Sequence, residues 1–537
     1  MISILAYSSI LLFAIMGCDS SSLTTSDRDK YSREFVVIAE SDAAKIHLKD
    51  QLNKTKNPFE FLTKYSDGEK LIVHVKNAGS AAEFSQLKDA LGKLGSKVLP
   101  VRFYEQENVP DDLTQRGDRY YDQHKLINSR EAWTYGKGAG VLVALTDDGL
   151  DYTHEDLQGA IYTNQGEVGT DVDGQDKSTN GKDDDENGFV DDFRGWDIGR
   201  NDNDVKPEYA FHVHGTFVAG LISAISENGF GGDGIAPEAK LFPVKFRVGP
   251  RWSSVDIFKA YKYAADQGAK IINTSYDLDY YADDSIVHEA LDYAYDHGLI
   301  IFNSAGNDGA EDTPRQRFDQ IVLVCGLGID GDPDKIAASS NFGRGVDLCA
   351  PISGYSTLPG NKYANRAGTS FSSAMAAGVA ALIWSSNPEL TRDQVVAKLI
   401  GTASRKDANN PGFEGKIGTG MVNALRAVTE KPNAPTILAG DAIRLDDQSV
   451  EVKLIIRGVL DPNSIFRIES SFYGNDGMQV DAKLLKSYRI GANEIKIRLP
   501  SSTQTGGYKI DLSQLADPFG QQIKSSHNND FEEIVVP

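Results

Sequence analysis

The run Ala374-Met375-Ala376-Ala377-Gly378-Val379-Ala380-Ala381-Leu382-Ile383-Trp384 is apolar on every face and built from small residues. A helix without a polar face must be wrapped by a large core, which excludes a small or extended fold. Immediately before it, Ala367-Gly368-Thr369-Ser370-Phe371-Ser372-Ser373 reads as a turn that delivers a serine to the first turn of that helix. Unpaired N–H groups and the positive end of the helix dipole favour an oxyanion beside Ser370. Serine is also a favoured N-cap, so the segment alone fits a nucleophile and a structural cap equally.

A nucleophilic serine needs a base to take its proton and an acid to hold the base. Of nine histidines, His214 stands in His212-Val213-His214-Gly215-Thr216-Phe217-Val218-Ala219-Gly220, a polar turn entering a helix of small residues. A carboxylate ends the buried-strand pattern Val141-Leu142-Val143-Ala144-Leu145-Thr146-Asp147-Asp148-Gly149. In a parallel α/β sheet, strand ends are where sites are built.

With these three segments the chain resembles the subtilisin-like serine proteases, the subtilases, in motif and in the order acid, base, nucleophile. The resemblance covers about residues 120–430 and implies Asp147 as orienting acid, His214 as general base and Ser370 as nucleophile. Asn303-Ser304-Ala305-Gly306-Asn307 resembles the family's oxyanion loop, with Asn307 as donor. Gly234-Ile235-Ala236-Pro237, Ser339-Ser340-Asn341-Phe342-Gly343 and Ser356-Thr357-Leu358-Pro359-Gly360-Asn361 are further matches. Asp148 and His212 are read as structural neighbours. Two departures stand out: Ala374 where the family usually has proline, and Phe217 where many members have a second histidine. The implied fold is α/β, a doubly wound parallel sheet, over residues 117–430. The implied activity is that of a serine endopeptidase acting on proteins or peptides; the alternative is a non-catalytic surface binding protein on the same fold. The segment from Asp147 to Tyr152 also has a kexin-like flavour.

The rest of the chain is read against an exported enzyme. Residues 1–17 are uncharged and mostly apolar, and at about 1.5 Å per residue the run is short for a bilayer core of about 30 Å. A signal peptide fits better than a membrane span. Ile15-Met16-Gly17-Cys18 resembles a bacterial lipoprotein processing box, which would acylate Cys18 and anchor the protein at the cell envelope, with plain secretion as the alternative. Cys325 and Cys349 lie in apolar strand-like contexts that suit buried free thiols, although export permits a disulfide. The net charge of −22, without a basic patch, argues against nucleic acid as a partner.

After a polar linker (18–34), residues 35–116 alternate strand and helix patterns: strands at Phe35–Ala39, Lys70–Val75 and Lys97–Phe103, helices at Ala43–Asn53 and Ala81–Leu94. Such an α+β unit resembles a subtilase propeptide, an intramolecular inhibitor removed by self-cleavage, with Arg116-Gly117 as a candidate bond; a permanent accessory domain is the alternative. Residues 431–537 hold strand-like runs at Ser449–Ile456, Ile465–Ser470, Glu494–Leu499 and Tyr508–Leu512, consistent with a β-sandwich.

Two further segments bear on ligands. Asp183, Asp185, Asn187, the Phe189 carbonyl and Asp191 mimic the first nine positions of an EF-hand loop, pointing to calcium, while the closing glutamate is missing. A solvated acidic loop is the alternative, and Asp171-Val172-Asp173-Gly174 is a thinner second candidate. Ser275, Tyr276 and Asp277 fall where subtilases pair with extended substrate. Asp277, where glycine is common, would favour basic substrate residues unless it only belongs to a solvated acidic rim.

Overall fold

The computed structural model describes residues 34–39, 41–52, 59–66, 71–77, 81–100, 103–105, 122–229, 231–246, 251–328, 332–474, 476–485, 494–525 and 531–536. Cys18, the signal segment and the Arg116-Gly117 bond lie outside them. The chain divides into a unit of residues 1–103 with 253–255 and a second unit of the remainder.

In the first unit the described strands Glu34–Ala39, Phe59–Ser66, Leu71–Asn77 and Lys97–Pro100 form an antiparallel sheet. With helices Asp42–Leu52 and Ala81–Lys93 the chain order is β-α-β-β-α-β, the split βαβ arrangement. Alternate residues Val37, Ala39, Leu71, Val73 and Val75 bury one sheet face against Ala44, Leu48, Leu87 and Leu91 of the helices. The strand Phe59–Ser66 has no counterpart in the sequence reading, because Glu60 and Lys64 dilute its apolar pattern.

The second unit is built on seven parallel strands. Their spatial order is Leu348–Pro351, Ile321–Leu327, Ile300–Ser304, Ile271–Thr274, Leu142–Asp147, Lys240–Lys245 and Trp196–Asp197. All neighbouring pairs are parallel. The chain begins in the middle, at Leu142–Asp147, and lays later strands on both sides. The reversal falls between that strand and Ile271–Thr274, the switch point where α/β folds place ligands. The three strands beginning at Ile271, Ile300 and Ile321 are buried at every residue, as a sheet covered on both faces requires.

Helix Thr369–Ser386 is buried from Thr369 through Trp384 and packs on the strands Ile300–Ser304, Ile321–Leu327 and Leu348–Pro351. Burying a side chain such as Leu382 or Ile383 is worth about 1.5–3 kcal/mol, so this helix anchors the core it runs through. The free-thiol expectation is corrected here: Cys325 and Cys349 face each other in register on neighbouring strands, Cα atoms 4.3 Å apart, and form a disulfide. Sequence separation hid a pairing that the strand order creates.

Beyond residue 431 two antiparallel sheets share one core. Val452, Leu454 and Ile497 of the sheet containing Val450–Arg457 and Glu494–Leu499 cluster with Phe472, Ile510 and Ile534 of the other. The expected strand Ile465–Ser470 is instead helical, a short turn Pro462–Ile465 continuing as 3-10 helix Phe466–Ser470. Its cause is local: Asp461 accepts from the Asn463 N–H at 2.8 Å and Pro462 presets the first helical position. Arg457 pairs with Asp407 at 3.1 Å, and Gln521 donates to the Pro432 carbonyl at 3.0 Å, fastening this layer to the parallel-sheet layer.

Candidate active site

Asp147 is the last residue of its central strand. Both its carboxylate oxygens lie 2.9 Å from His214 Nδ1, and its Oδ1 also accepts from the Asp148 N–H at 2.8 Å. His214 opens helix His214–Ser223, whose cap residue Val213 offers no side-chain bond. Asp148 supplies it from the next loop: Oδ1 accepts from the Gly215 N–H at 2.8 Å and Oδ2 from the His214 N–H at 3.4 Å. The close approach explains the glycine, since a Cβ on Gly215 would fall 2.3 Å from the Gly149 carbonyl oxygen. Thr216 completes the clasp by accepting from the Asp151 N–H at 3.0 Å. His212 is buried beneath the stacked rings of Tyr209 and Phe211, away from this arrangement.

The start of helix Thr369–Ser386, which carries Ser370, is pinned from several sides. Ser372 donates to the Pro351 carbonyl at 3.0 Å and Ser373 to Asn273 Oδ1 at 2.9 Å. The Ser370 hydroxyl donates to the Ser275 carbonyl at 3.1 Å, and the Ser275 hydroxyl donates back to the Ser370 carbonyl at 3.1 Å. These bonds hold the first turn of the helix without a proline, and Ala374 sits fully buried beside them. The second departure is also accommodated, because Phe217 packs on Phe371 with ring centroids 4.5 Å apart.

Asn307 has a defined orientation. Its Oδ1 faces the Thr369 N–H at 2.9 Å and the Thr369 hydroxyl at 3.0 Å. A backbone N–H only donates, so the atom facing it is the oxygen and the Nδ2 end points away, ready to donate. Asn341 holds the loop behind it, its Oδ1 accepting from the N–H groups of Asp308 and Ala310 at 2.9 Å each.

The substrate-side residues separate. Tyr276 turns its ring inward, onto Phe246 at 4.8 Å and toward the Tyr261 hydroxyl at 3.3 Å, while its carbonyl accepts from Asn303 Nδ2 at 3.0 Å. Asp277 is not an unpaired acid: the Arg315 guanidinium, 3% exposed, pairs with it and with Asp279 at 2.8 Å. Nothing in Thr313-Pro314-Arg315-Gln316-Arg317 marks Arg315 for this role, so sequence reading misses it.

The acidic insert departs from its EF-hand pattern. Asp183 accepts from the N–H groups of Asn187 and Gly188, at 3.0 and 2.7 Å, and Asp191 from the Gly181 N–H at 3.0 Å. Asn187 accepts from the Phe189 N–H at 2.8 Å, and the Phe189 ring packs on Tyr263 and Trp196. Of the expected set only Asp185 joins a cluster, with Glu167 and Asp192, two residues the spacing does not single out. The loop's own N–H groups engage Asp183, Asn187 and Asp191, and the Asn187 N–H also reaches Asp185 Oδ1 at 3.2 Å. Burial pushes the Glu167 carboxyl up to about 7, partly offset by the Asp184 N–H and reinforced by the charges of Asp185 and Asp192. The second candidate is occupied by a lysine: Lys182 Nζ lies 2.7 Å from Asp171 and 2.8 Å from Asp173, and that bond holds Asp171 down to about 2.

A carboxylate gripping a histidine at a strand end, a serine on the first turn of a buried helix and an oriented amide are the parts that a serine hydrolase uses for acyl transfer. The model for the subtilase family matches residues 138–420, more than half of the chain. The chain belongs to the subtilase family of serine endopeptidases. It is 32% identical over 305 residues to the thermophilic serine proteinase of Bacillus sp. (strain AK1), covering 55% of this chain and 66% of that one. It is 31% identical over 316 residues to thermitase of Thermoactinomyces vulgaris, covering 58% and 96%. It is also 32% identical over 374 residues to the cell wall-associated protease of Bacillus subtilis (strain 168), covering 65% of this chain and 37% of that protein.

Proposed function

We propose that the chain is an exported endopeptidase in which Ser370 is the nucleophile, His214 the general base, Asp147 the orienting acid and Asn307 the oxyanion donor. The observation that carries the reading is the two-oxygen grip of Asp147 on His214 Nδ1 at 2.9 Å, which sets the tautomer that leaves Nε2 to accept a proton. In the reaction the Ser370 hydroxyl turns from the Ser275 carbonyl to His214, gives up its proton and attacks the peptide carbonyl. The tetrahedral oxyanion is held by Asn307 Nδ2 and the Ser370 N–H, and His214 returns the proton to the leaving amine. Water then hydrolyses the acyl-enzyme by the same steps. Ser370→Ala is expected to abolish peptide hydrolysis with the fold retained; full activity in that variant would refute the assignment. The non-catalytic binding reading is disfavoured by the intact set.

Around this chemistry, residues 35–116 act as the propeptide, inhibiting in cis until self-cleavage in the connector that follows. Cys18 carries the lipid anchor, which places the enzyme outside the cytoplasm at the cell envelope. The name of the Bacillus subtilis relative, a cell wall-associated protease, supports that location. The ion pair of Asp277 with Arg315 favours broad sequence preference over a demand for basic residues, since the carboxylate that would attract them is already paired. Calcium stabilises the acidic insert. N-terminal sequencing of active enzyme and fatty-acid labelling of wild type against Cys18→Ala test the first two points.

A further inference from the structure

Glu167 is fully buried. Its Oε1 accepts from the Asp184 N–H at 2.9 Å, whereas Oε2 is shut away from solvent without a hydrogen-bond partner. A buried carboxylate oxygen left so is costly unless something positive meets it. One oxygen each from Glu167, Asp185 and Asp192 lie within 4.8 Å of one another. Two oxygens bound to one calcium ion at roughly 2.4 Å each stand at most about 4.8 Å apart, so every pair in the cluster meets the condition for sharing an ion. None of the three forms an ion pair among the described residues, and Lys182 is committed to Asp171 and Asp173.

The surroundings are built to hold the carboxylates in place. Asn164 Nδ2 donates to Asp185 Oδ2 at 3.0 Å and to Asp192 Oδ1 at 2.6 Å. Asp192 Oδ2 accepts from the Tyr263 hydroxyl at 2.6 Å and from Asn187 Nδ2 at 2.9 Å. Asp185 comes this close only because residue 166 is glycine: a Cβ there would stand 2.4 Å from Asp185 Oδ2. Three hard oxygen donors with their orientations fixed by neighbouring N–H and O–H groups suit a divalent cation of the calcium type.

We infer that Glu167, Asp185 and Asp192 bind one calcium ion, which staples the Asn164–Glu167 turn to the insert. Through Asp192 and Tyr263 the staple reaches helix Ser254–Asp266, so the ion secures the chain just ahead of edge strand Trp196–Asp197. The inference rests on the calcium reading given above and changes its ligands: Glu167 comes from outside the acidic run, and Asp183 and Asp191 are not ligands.

Calcium equivalents bound by the chelator-stripped full chain, measured by isothermal titration, test it. Glu167→Gln and Asp192→Asn are each expected to lose one equivalent, as is Gly166→Ala, which changes no charge. Asp183→Asn and Asp191→Asn are expected to retain it. Asp185→Asn, at an exposed position, gives a variant whose folding is not in question and is also expected to lose it. Retention in Glu167→Gln with loss in Asp183→Asn and Asp191→Asn would overturn the inference while keeping calcium in the linear loop. Retention in all of the variants would overturn it as well. Failure of the wild type to bind any calcium would overturn both.

Discussion

Replacing Asp148 with alanine probes how the base is held. Asp148 is 2% exposed, and its carboxylate stands at the positive end of the helix that His214 opens. The 2.8 Å bond from the Gly215 N–H is a charge-assisted bond of about 1.5–3 kcal/mol, and the 3.4 Å contact from the His214 N–H adds little. Interaction of the carboxylate with the helix dipole contributes about 1 kcal/mol more. Asp148→Ala should therefore cost about 2–4 kcal/mol, which at roughly 2–4 °C per kcal/mol for domains of this class lowers Tm by about 5–15 °C. Melting is best followed in a Ser370→Ala background, where self-digestion cannot intrude. In the active background, a small displacement of His214 should lower kcat by about 10–100-fold with KM little changed, because misplacement by about 1 Å costs that order. Asp147→Asn should differ in kind, with kcat falling about 10⁴-fold and Tm largely kept, as the imidazole takes the wrong tautomer. Wild-type Tm and kcat in Asp148→Ala would refute the capping argument. A full loss of kcat without loss of Tm would instead make Asp148 the orienting acid.

Asn307→Ala should lower kcat by about 10²–10³, near 3–4 kcal/mol, and leave KM within a few fold, because the Nδ2 end would donate to charge that develops only in the transition state; steady-state kinetics on a peptide substrate decide this. Arg315→Met strips the partner from Asp277 and Asp279 and should cost about 1–3 kcal/mol in denaturant unfolding, less than a fully buried pair because the carboxylates keep part of their water, whereas no measurable change would mean the pair is solvated. Asp347 is buried with its Oδ2 accepting from the Leu323 N–H at 2.8 Å, and burial, with the Asp319 charge adding, raises its carboxyl well above the ordinary range. The folded state thus prefers the protonated acid, so the cost of ionising it is absent below an unfolded value of about 4 and grows as pH rises toward the folded one. Asp347→Asn keeps the acceptor, so its Tm should match wild type near pH 4 and exceed it increasingly toward pH 8; a constant difference would contradict the burial argument.

The segments that carry the proposed triad are legible in the chain because their hydrogen bonding is local. Gly215 and Thr216 must follow His214 for Asp148 and Asp151 to close on the helix start, and Gly368-Thr369 must precede Ser370 for Asn307 to be oriented. The buried helix after Ser370 is legible for the same reason, its composition permitting no surface. Pairings made by topology are not legible. Cys325 meets Cys349, and Arg315 meets Asp277, only because separate elements are brought side by side. In the acidic insert, Asp183 and Asp191 accept from the loop's own N–H groups, while Glu167 and Asp192 converge with Asp185 from positions without a periodic relation, which no spacing rule singles out. At Ile465–Ser470 an apolar, strand-like stretch is overruled by the Asp461-Pro462 start signal before it.

Activation of Ser370 by His214 is open to direct chemical labelling. Treating the peptide-hydrolysing protein with a serine-directed organophosphorus probe and mapping the adduct by mass spectrometry tests it most directly. A single adduct on Ser370 is expected, lost in His214→Ala while that variant stays folded. An adduct on another serine, or undiminished labelling of Ser370 in His214→Ala, would contradict it.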